Sequence, residues 1–328
     1  MTTIGNKLRS FAAAGLALAA ASGLAGPARS DDGMAGKKVI FIPITMGITL
    51  TESWSHRMKE QADLYGIQYE VRDAAVNMKA MSELFAAAIN EKPDIIVAHN
   101  PTVQLLARQI QKAESEGIRV LQINLKSNAL STAFVGADFT RIGKEVAEDI
   151  VAHCGKDSGK SGKVAIIPGQ LTAADSVLMN DAAFAVFKEH PEIQVVSNQA
   201  SDWEPEKARQ ITATVLQQHP DLCAIFGHWD VFTFGAGNAV KDAGFADKVL
   251  VYSTGGGNRE TCDQMEKNVI HRYWSYNSDG QGRDAATLMR VILQGATAPE
   301  GKMLAVDSPL TVVTKENYSP AACWDMPK

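Results

Sequence analysis

The chain has 328 residues, 45% of them hydrophobic and 21% charged, the make-up of a globular protein with a sizeable core. That length gives room for two domains of ordinary size. A formal net charge of −5 argues against a nucleic-acid partner, which would call for a basic face.

The first thirty residues are set apart from the fold. Lys7 and Arg9 form a basic start, Phe11 to Ala25 is a run of Ala, Leu and Gly, and Ala28-Arg29-Ser30 places small residues where a signal peptidase would cut before Asp31. The apolar run is too short and alanine-rich for a bilayer span of ~20 residues. No cysteine follows it, so a lipid anchor is not expected. Residues 1–30 are predicted to be a cleaved signal peptide, and the mature chain an exported protein of a bacterial periplasm.

Short apolar, β-branched runs then alternate with amphipathic stretches. Strands are predicted at 39–45, 67–72, 95–100, 120–124 and 134–137, then at 164–168, 193–198, 223–226, 249–253, 270–274 and 310–314. Helices such as 52–65, 78–90 and 103–116 separate them. Runs of this kind between helices predict an α/β fold with parallel strands buried on both faces, and right-handed crossovers put helices on both sides of each sheet.

The second half repeats the first. Pro93-Asp94 leads into Ile95-Ile96-Val97-Ala98-His99-Asn100, a helical stretch, and then Arg119-Val120-Leu121-Gln122-Ile123-Asn124. Pro220-Asp221 leads likewise into Leu222-Cys223-Ala224-Ile225-Phe226-Gly227, another helical stretch, and then Lys248-Val249-Leu250-Val251-Tyr252-Ser253. A βα lobe present twice leaves a cleft between the copies, where small molecules bind. The lobe boundary is placed near Gly136-Ala137-Asp138.

Two sequences imitate nucleotide-binding motifs. Gly155 through Ser161 reads G-x-x-x-G-K-S, one residue short of a phosphate loop, and it precedes a strand where such a loop must follow one. Thr254-Gly255-Gly256-Gly257-Asn258 follows a strand but lacks the G-x-G-x-x-G spacing, and is read as a turn that lets a ligand or backbone come close. The seven histidines, at 56, 99, 153, 190, 219, 228 and 271, show no metal-ligand spacing. No nucleophile elbow or carboxylate pair is visible, so no enzyme activity, metal or cofactor is expected. Of four cysteines, Cys262 and Cys323 flank loop or tail segments and are expected to pair; Cys223 is read as a small buried hydrophobe.

Open α/β sheets bind ligands at the C-terminal ends of their strands. Those ends carry Thr45, Met46, Asn100, Asn124, Asp138, Trp203, Trp229, Asp230, Thr254, Trp274 and Tyr276. Amides, hydroxyls and a few carboxylates predominate, Lys126 is almost alone as a cation, and three of the five tryptophans stand here. Asn and Asp can engage neighbouring hydroxyls, and an indole supplies a flat apolar wall. An anionic ligand would need fixed cations instead. The set points to a polyhydroxylated ligand.

From residue 37 to 316 the chain resembles the periplasmic sugar-binding proteins of the ribose-binding type, receptors of ABC importers. Asn100-Pro101-Thr102, Asp202-Trp203-Glu204, Pro220-Asp221 with His228-Trp229-Asp230, Gly255, and Asp279-Gly280-Gln281-Gly282 carry the resemblance. It implies two Rossmann-like lobes (the type I periplasmic binding protein fold) joined by three crossovers, near Asp138, Asn277 and Asp307. One lobe would comprise 31–138 and 277–306, the other 139–276 and 307–328. It also implies a monomer that closes on its ligand and docks on a permease of the inner membrane. Ribose-type members usually have Asp-Arg where this chain has Asn124-Leu125, Arg where Asn180 stands ahead of Phe184, and commonly Asp at Thr254. Those losses favour a neutral polyol, a deoxy sugar or another small sugar over ribose. A sugar-responsive repressor is disfavoured by the export signal. A receptor for chemotaxis or a sensor kinase shares every feature named.

Overall fold

The computed structural model describes residues 33–319 and 322–326; the predicted signal peptide lies outside them. In chain order the elements are β1 (Lys38–Ile42), α1 (Thr49–Tyr65), β2 (Gln68–Val71), α2 (Met78–Glu91), β3 (Ile95–Ala98), α3 (Ala107–Ser115), β4 (Arg119–Ile123), β5 (Ala133–Gly136) and α4 (Phe139–Cys154). There follow β6 (Lys163–Ile167), α5 (Ala174–Lys188), β7 (Gln194–Asn198), α6 (Pro205–Gln218), β8 (Ala224–Gly227), α7 (Asp230–Asp242), β9 (Leu250–Gly255), α8 (Arg259–Glu266), β10 (Arg272–Ser275), α9 (Ser278–Leu293), β11 (Leu304–Asp307) and β12 (Thr311–Thr314).

These form two six-stranded sheets, ordered β11-β5-β4-β3-β1-β2 and β12-β10-β9-β8-β6-β7. Strip off the outermost strand β11 or β12 and the orders coincide, so the duplicated sequence is a duplicated sheet. The alternation of side chains across a strand explains the unbroken apolar runs. In β1, Val39 and Phe41 join the core under α1 with Trp54 and Met58. Ile40 and Ile42 join the opposite core with Phe85 of α2 and Ile110 of α3.

The Pro-Asp turns have matching roles. Asp94 Oδ2 accepts from the Lys38 backbone N–H at 2.8 Å and Oδ1 pairs with Lys37 Nζ at 2.9 Å. In the second lobe Lys163 Nζ reaches Asp221 at 2.8 Å. Each aspartate thus ties the start of a third strand to the start of a first.

The chain passes between the sheets three times. After β5, α4 packs on α5 of the second lobe; after β10, α9 packs on α1 of the first; β11 pairs parallel with β5 before β12 pairs with β10. Two sequence expectations are corrected. The strand at 310–314 is antiparallel to its neighbour, not parallel. Leu304–Asp307 was not foreseen, because an edge strand alternating half-buried and exposed residues lacks the buried run that marks the others.

Cys262 and Cys323 are bonded, with S–S 2.05 Å, holding the tail against α8. Cys223 is not a free buried hydrophobe: it is bonded to Cys154 at the end of α4. The Gly155–Ser161 stretch is a surface turn between α4 and β6. Among the described residues, no helix is long and apolar enough to cross a membrane.

Candidate functional site

Parallel strands aim their C-terminal ends the same way, so the loops after them collect between the lobes. There they line a cavity of about 380 Å³, within the range of small-molecule sites. Lobe one contributes Ile44 and Thr45 after β1, Val76 after β2, His99 after β3, and Asn124 and Leu125 after β4. Lobe two contributes Asp175 from α5, Trp203 after β7, and His228 and Trp229 after β8. Phe139 and Tyr276 come from the crossing segments.

Of the residues predicted from sequence, Thr45, Asn124, Trp203, Trp229 and Tyr276 line this cavity. Asn124 adopts φ 60°, in the left-handed region that Asn tolerates. Its Oδ1 accepts from Gln281 Nε2 at 3.4 Å. Burial pushes the Tyr276 phenol well above its ordinary range, with the Asp230 and Asp175 carboxylates adding to the rise, so it stays a neutral donor. Trp203 lies directly over Gly169, where a Cβ would fall 2.1 Å from the indole nitrogen.

The other predicted residues have structural duties. Asp230 accepts from Tyr273 Oη and Thr261 Oγ1, both at 2.7 Å, and is locked inside lobe two. Burial lifts its pKa to about 6. Asn100 donates to Gln122 Oε1 and to the Leu125 carbonyl, each at 2.9 Å, bracing the loop that presents Asn124. Thr254 donates to the His228 carbonyl at 2.6 Å. Asp138 caps α4 by accepting from the Arg141 N–H and is exposed. Trp274 stacks on Tyr252 and donates to Glu145. Met46 packs on the core from a half-buried position. Asn180 is buried on α5 outside the cavity lining, with Oδ1 unpartnered. The Gly255–Gly257 turn admits protein, not ligand: Cβ atoms there would strike Asp230, Ser278 and Ser275.

Sequence reasoning set His228 at a strand end without assigning it to the site, and missed His99 and Asp175. The histidines are buried, at 4% and 1% exposure, and no ring nitrogen of either has a partner. Burial pulls both pKa values down to about 3, leaving neutral imidazoles. Asp175 is buried with Oδ1 unpartnered, and burial raises its pKa to about 6. A search for metal spacing could not find the histidines, whereas aligning the two halves would have, since each follows the third strand of its copy. Among the described residues no lysine or arginine lines the cavity; Lys126 sits over the Phe134 ring. Among the described residues no cluster of His, Cys, Asp and Glu could hold a metal ion.

Backbone geometry is also concentrated here. Val76, Asn124, Asp202 and Trp203 all have positive φ, and all line the cavity. Ala75-Val76 after β2 and Asp202-Trp203 after β7 occupy the same place in the two lobes. The Ala74 N–H donates to the Pro43 carbonyl just as the Ser201 N–H donates to that of Pro168.

A sequence family described as periplasmic binding protein domain matches residues 39–297. The chain is 25% identical over 281 residues to a D-ribose/D-allose-binding protein of Pseudomonas aeruginosa, covering 81% of this chain and 84% of that one. It is 35% identical over 124 residues to the D-allose-binding periplasmic protein of Escherichia coli (strain K12), a match spanning 38% of this chain and 39% of that one. Among solved structures, the glucose-galactose binding protein GanP of Geobacillus stearothermophilus superposes with a TM-score of 0.77 at 20% identity, covering 86% of this chain and 98% of its own.

Proposed function

Since the chain belongs to the periplasmic binding protein family, we propose that it is a receptor that takes a small sugar or polyol into the interlobe cleft and delivers it to an ABC permease. The cavity carries this reading. It sits at the strand ends of both sheets, lined by two indoles, neutral imidazoles, an amide, a hydroxyl and three carboxylates, and among the described residues by no fixed cation. Rings such as Trp203 and Trp229 offer flat apolar faces to sugar C–H groups. Side chains of the kind at His99, Asn124 and His228 both donate to and accept from hydroxyls. The ribose- and allose-binding names of its relatives agree with that chemistry.

In mechanism, the described residues of 31–138 with 277–306 form one rigid body and those of 139–276 with 307–328 the other. Ligand contacts from both would favour the closed arrangement, with the three crossing strands acting as the hinge. The closed lobe surfaces are what the permease reads. The protein works as a periplasmic monomer and binds its ligand without transforming it. A thermal-shift screen against pentoses, hexoses and polyols tests this, because a ligand of the folded state raises the melting temperature by mass action. A rise with at least one of them is expected. No response to any would overturn the reading.

A further inference from the structure

We propose that His99 and His228 are the paired grips of the cleft, one from each lobe, and that the hydrocarbon of the first-lobe wall selects a carbohydrate with a hydroxyl-poor face, such as a deoxy or O-methyl sugar. This rests on the cleft being a carbohydrate site. Both rings line the cavity, and none of their four buried ring nitrogens has a partner in the protein. Native structures seldom leave even one such group unsatisfied.

Both rings are fixed in place. The His99 backbone N–H donates to the Ile42 carbonyl at 3.2 Å and the His228 backbone N–H to that of Ile167 at 3.1 Å, the same bond in each lobe. The His99 ring stands edge-on to Trp54 with centroids 4.9 Å apart, and the His228 ring leans on Phe226 at 4.7 Å. Thr254 further anchors the His228 carbonyl. A neutral imidazole has one donor and one acceptor, which matches a hydroxyl group and rejects a carboxylate or phosphate that cannot donate.

The rest of the wall limits how many hydroxyls can be satisfied. Ile44, Ile48, Leu50 and Val76 cover the first-lobe side with hydrocarbon. Asp202 is exposed and already paired with Lys207, and Glu204 is exposed. Beyond the two histidines, Thr45, Asn124, Asp175 and the phenol of Tyr276 remain for hydroxyls. A fully hydroxylated sugar would press some hydroxyls on aliphatic carbon, where an unpaired polar group is disfavoured. A methyl or methylene at that face fits it.

Calorimetric titration of the full chain with matched pairs tests this: L-fucose and L-galactose, L-rhamnose and L-mannose, 2-deoxyribose and ribose, 3-O-methylglucose and glucose. In at least one pair the hydroxyl-poor member should bind about tenfold tighter or more, a step of one lost or gained hydrogen bond. His99→Phe and His228→Phe keep a ring in place without its nitrogens. Each should weaken the best ligand by about ten- to hundredfold while leaving the ligand-free melting temperature equal or higher, an outcome that a merely structural histidine would not give. His99→Gln and His228→Gln, which keep a donor and an acceptor, serve if a Phe variant does not fold, and should retain more affinity than the corresponding His→Ala variants. Parent sugars binding at least as well in every pair would overturn the hydroxyl-poor face and leave the carbohydrate reading standing. Unchanged affinity in both Phe variants, or in both Ala variants where Phe is not tolerated, would overturn the histidine assignment. Silence from every sugar would overturn both.

Discussion

Adding one methyl group behind the indole of Trp203 should empty part of the binding wall without unfolding the lobe. Gly169 follows β6 at the place Ile44 holds after β1. A Cβ on Gly169 would lie 2.1 Å from Trp203 Nε1, 2.5 Å from Cδ1 and 2.8 Å from Cε2, so in Gly169→Ala the ring must move. Trp203 is half-buried, and it can swing outward at a cost at the low end of the ~1–3 kcal/mol seen for overpacking. The ligand then loses its aromatic wall, which contributes on the order of 1–3 kcal/mol by area and ring geometry together, or about five- to hundredfold in affinity. Trp203→Ala removes the same wall directly. The double variant should therefore bind no more weakly than Trp203→Ala alone, a non-additivity expected of two residues acting through one contact. Calorimetric titration with the tightest sugar of the panel measures the binding, and urea denaturation the stability. Wild-type affinity in Gly169→Ala, or losses that add in full in the double variant, would refute the reasoning.

The remaining expectations concern stability. Burial holds His99 and His228 at about 3, so the unfolded chain binds more protons between about 3 and 6.5. Stability from each is lost as pH falls through that window, at up to about 1.4 kcal/mol per unit. Asp175 and Asp230 are raised to about 6, so there the folded chain binds more protons, and stability declines as pH rises from about 4 to 6. The pairs offset one another. Urea denaturation should be nearly independent of pH from 4 to 6 as far as these groups decide it, and the double variant His99→Phe/His228→Phe should grow more stable on acidification; an unchanged slope would count against it. Replacing Cys154 and Cys223 by Ala opens a loop with a sequence separation of 69 and should cost about 4 kcal/mol on the chain-entropy account, read as a lower urea midpoint. Gly143→Ala would set a Cβ 2.5 Å from the Met179 carbonyl oxygen where α4 crosses α5. It should destabilise by about 1–3 kcal/mol with ligand affinity unchanged, as separate denaturation and titration would report.

Strands of both sheets were legible because burial on two faces writes an unbroken apolar run, as in Ile95–Ala98 and Ala224–Gly227. The same logic hid Leu304–Asp307, whose edge position requires no such run. At the site, the strand ends were legible but the direction of each side chain was not. Trp229 and Asp230 are neighbours at the start of α7, yet one lines the cavity and the other turns to Tyr273 and Thr261. Chain position locates a residue within a loop; packing of the far side of that loop decides which way it points. The Cys154–Cys223 bond joins the end of one helix to the lead-in of a distant strand, and no local pattern announces such a meeting. His99 and His228 are far apart in sequence and become equivalent only through the duplicated strand order, each following the third strand of its copy.

That duplication also explains how a symmetric scaffold makes an asymmetric cleft. Both lobes hold two consecutive non-glycine residues at positive φ after their second strand, at φ 48° and 59° for Ala75 and Val76, and at 52° and 61° for Asp202 and Trp203. Such conformations cost on the order of 1–3 kcal/mol each and persist where the surroundings enforce them; a β-branched residue like Val76 is an outlier there. In each lobe backbone hydrogen bonds to the loop after the first strand provide that enforcement, through Val76 N–H to the Ile44 carbonyl and Asp202 N–H to that of Gly169. The backbone is thus shared, and the side-chain sizes differ: Ile44 and Val76 hold in lobe one the positions that Gly169 and Trp203 hold in lobe two. An isoleucine at 169 would collide with the indole. One repeated frame therefore presents hydrocarbon to the cavity from the first lobe and indole faces from the second.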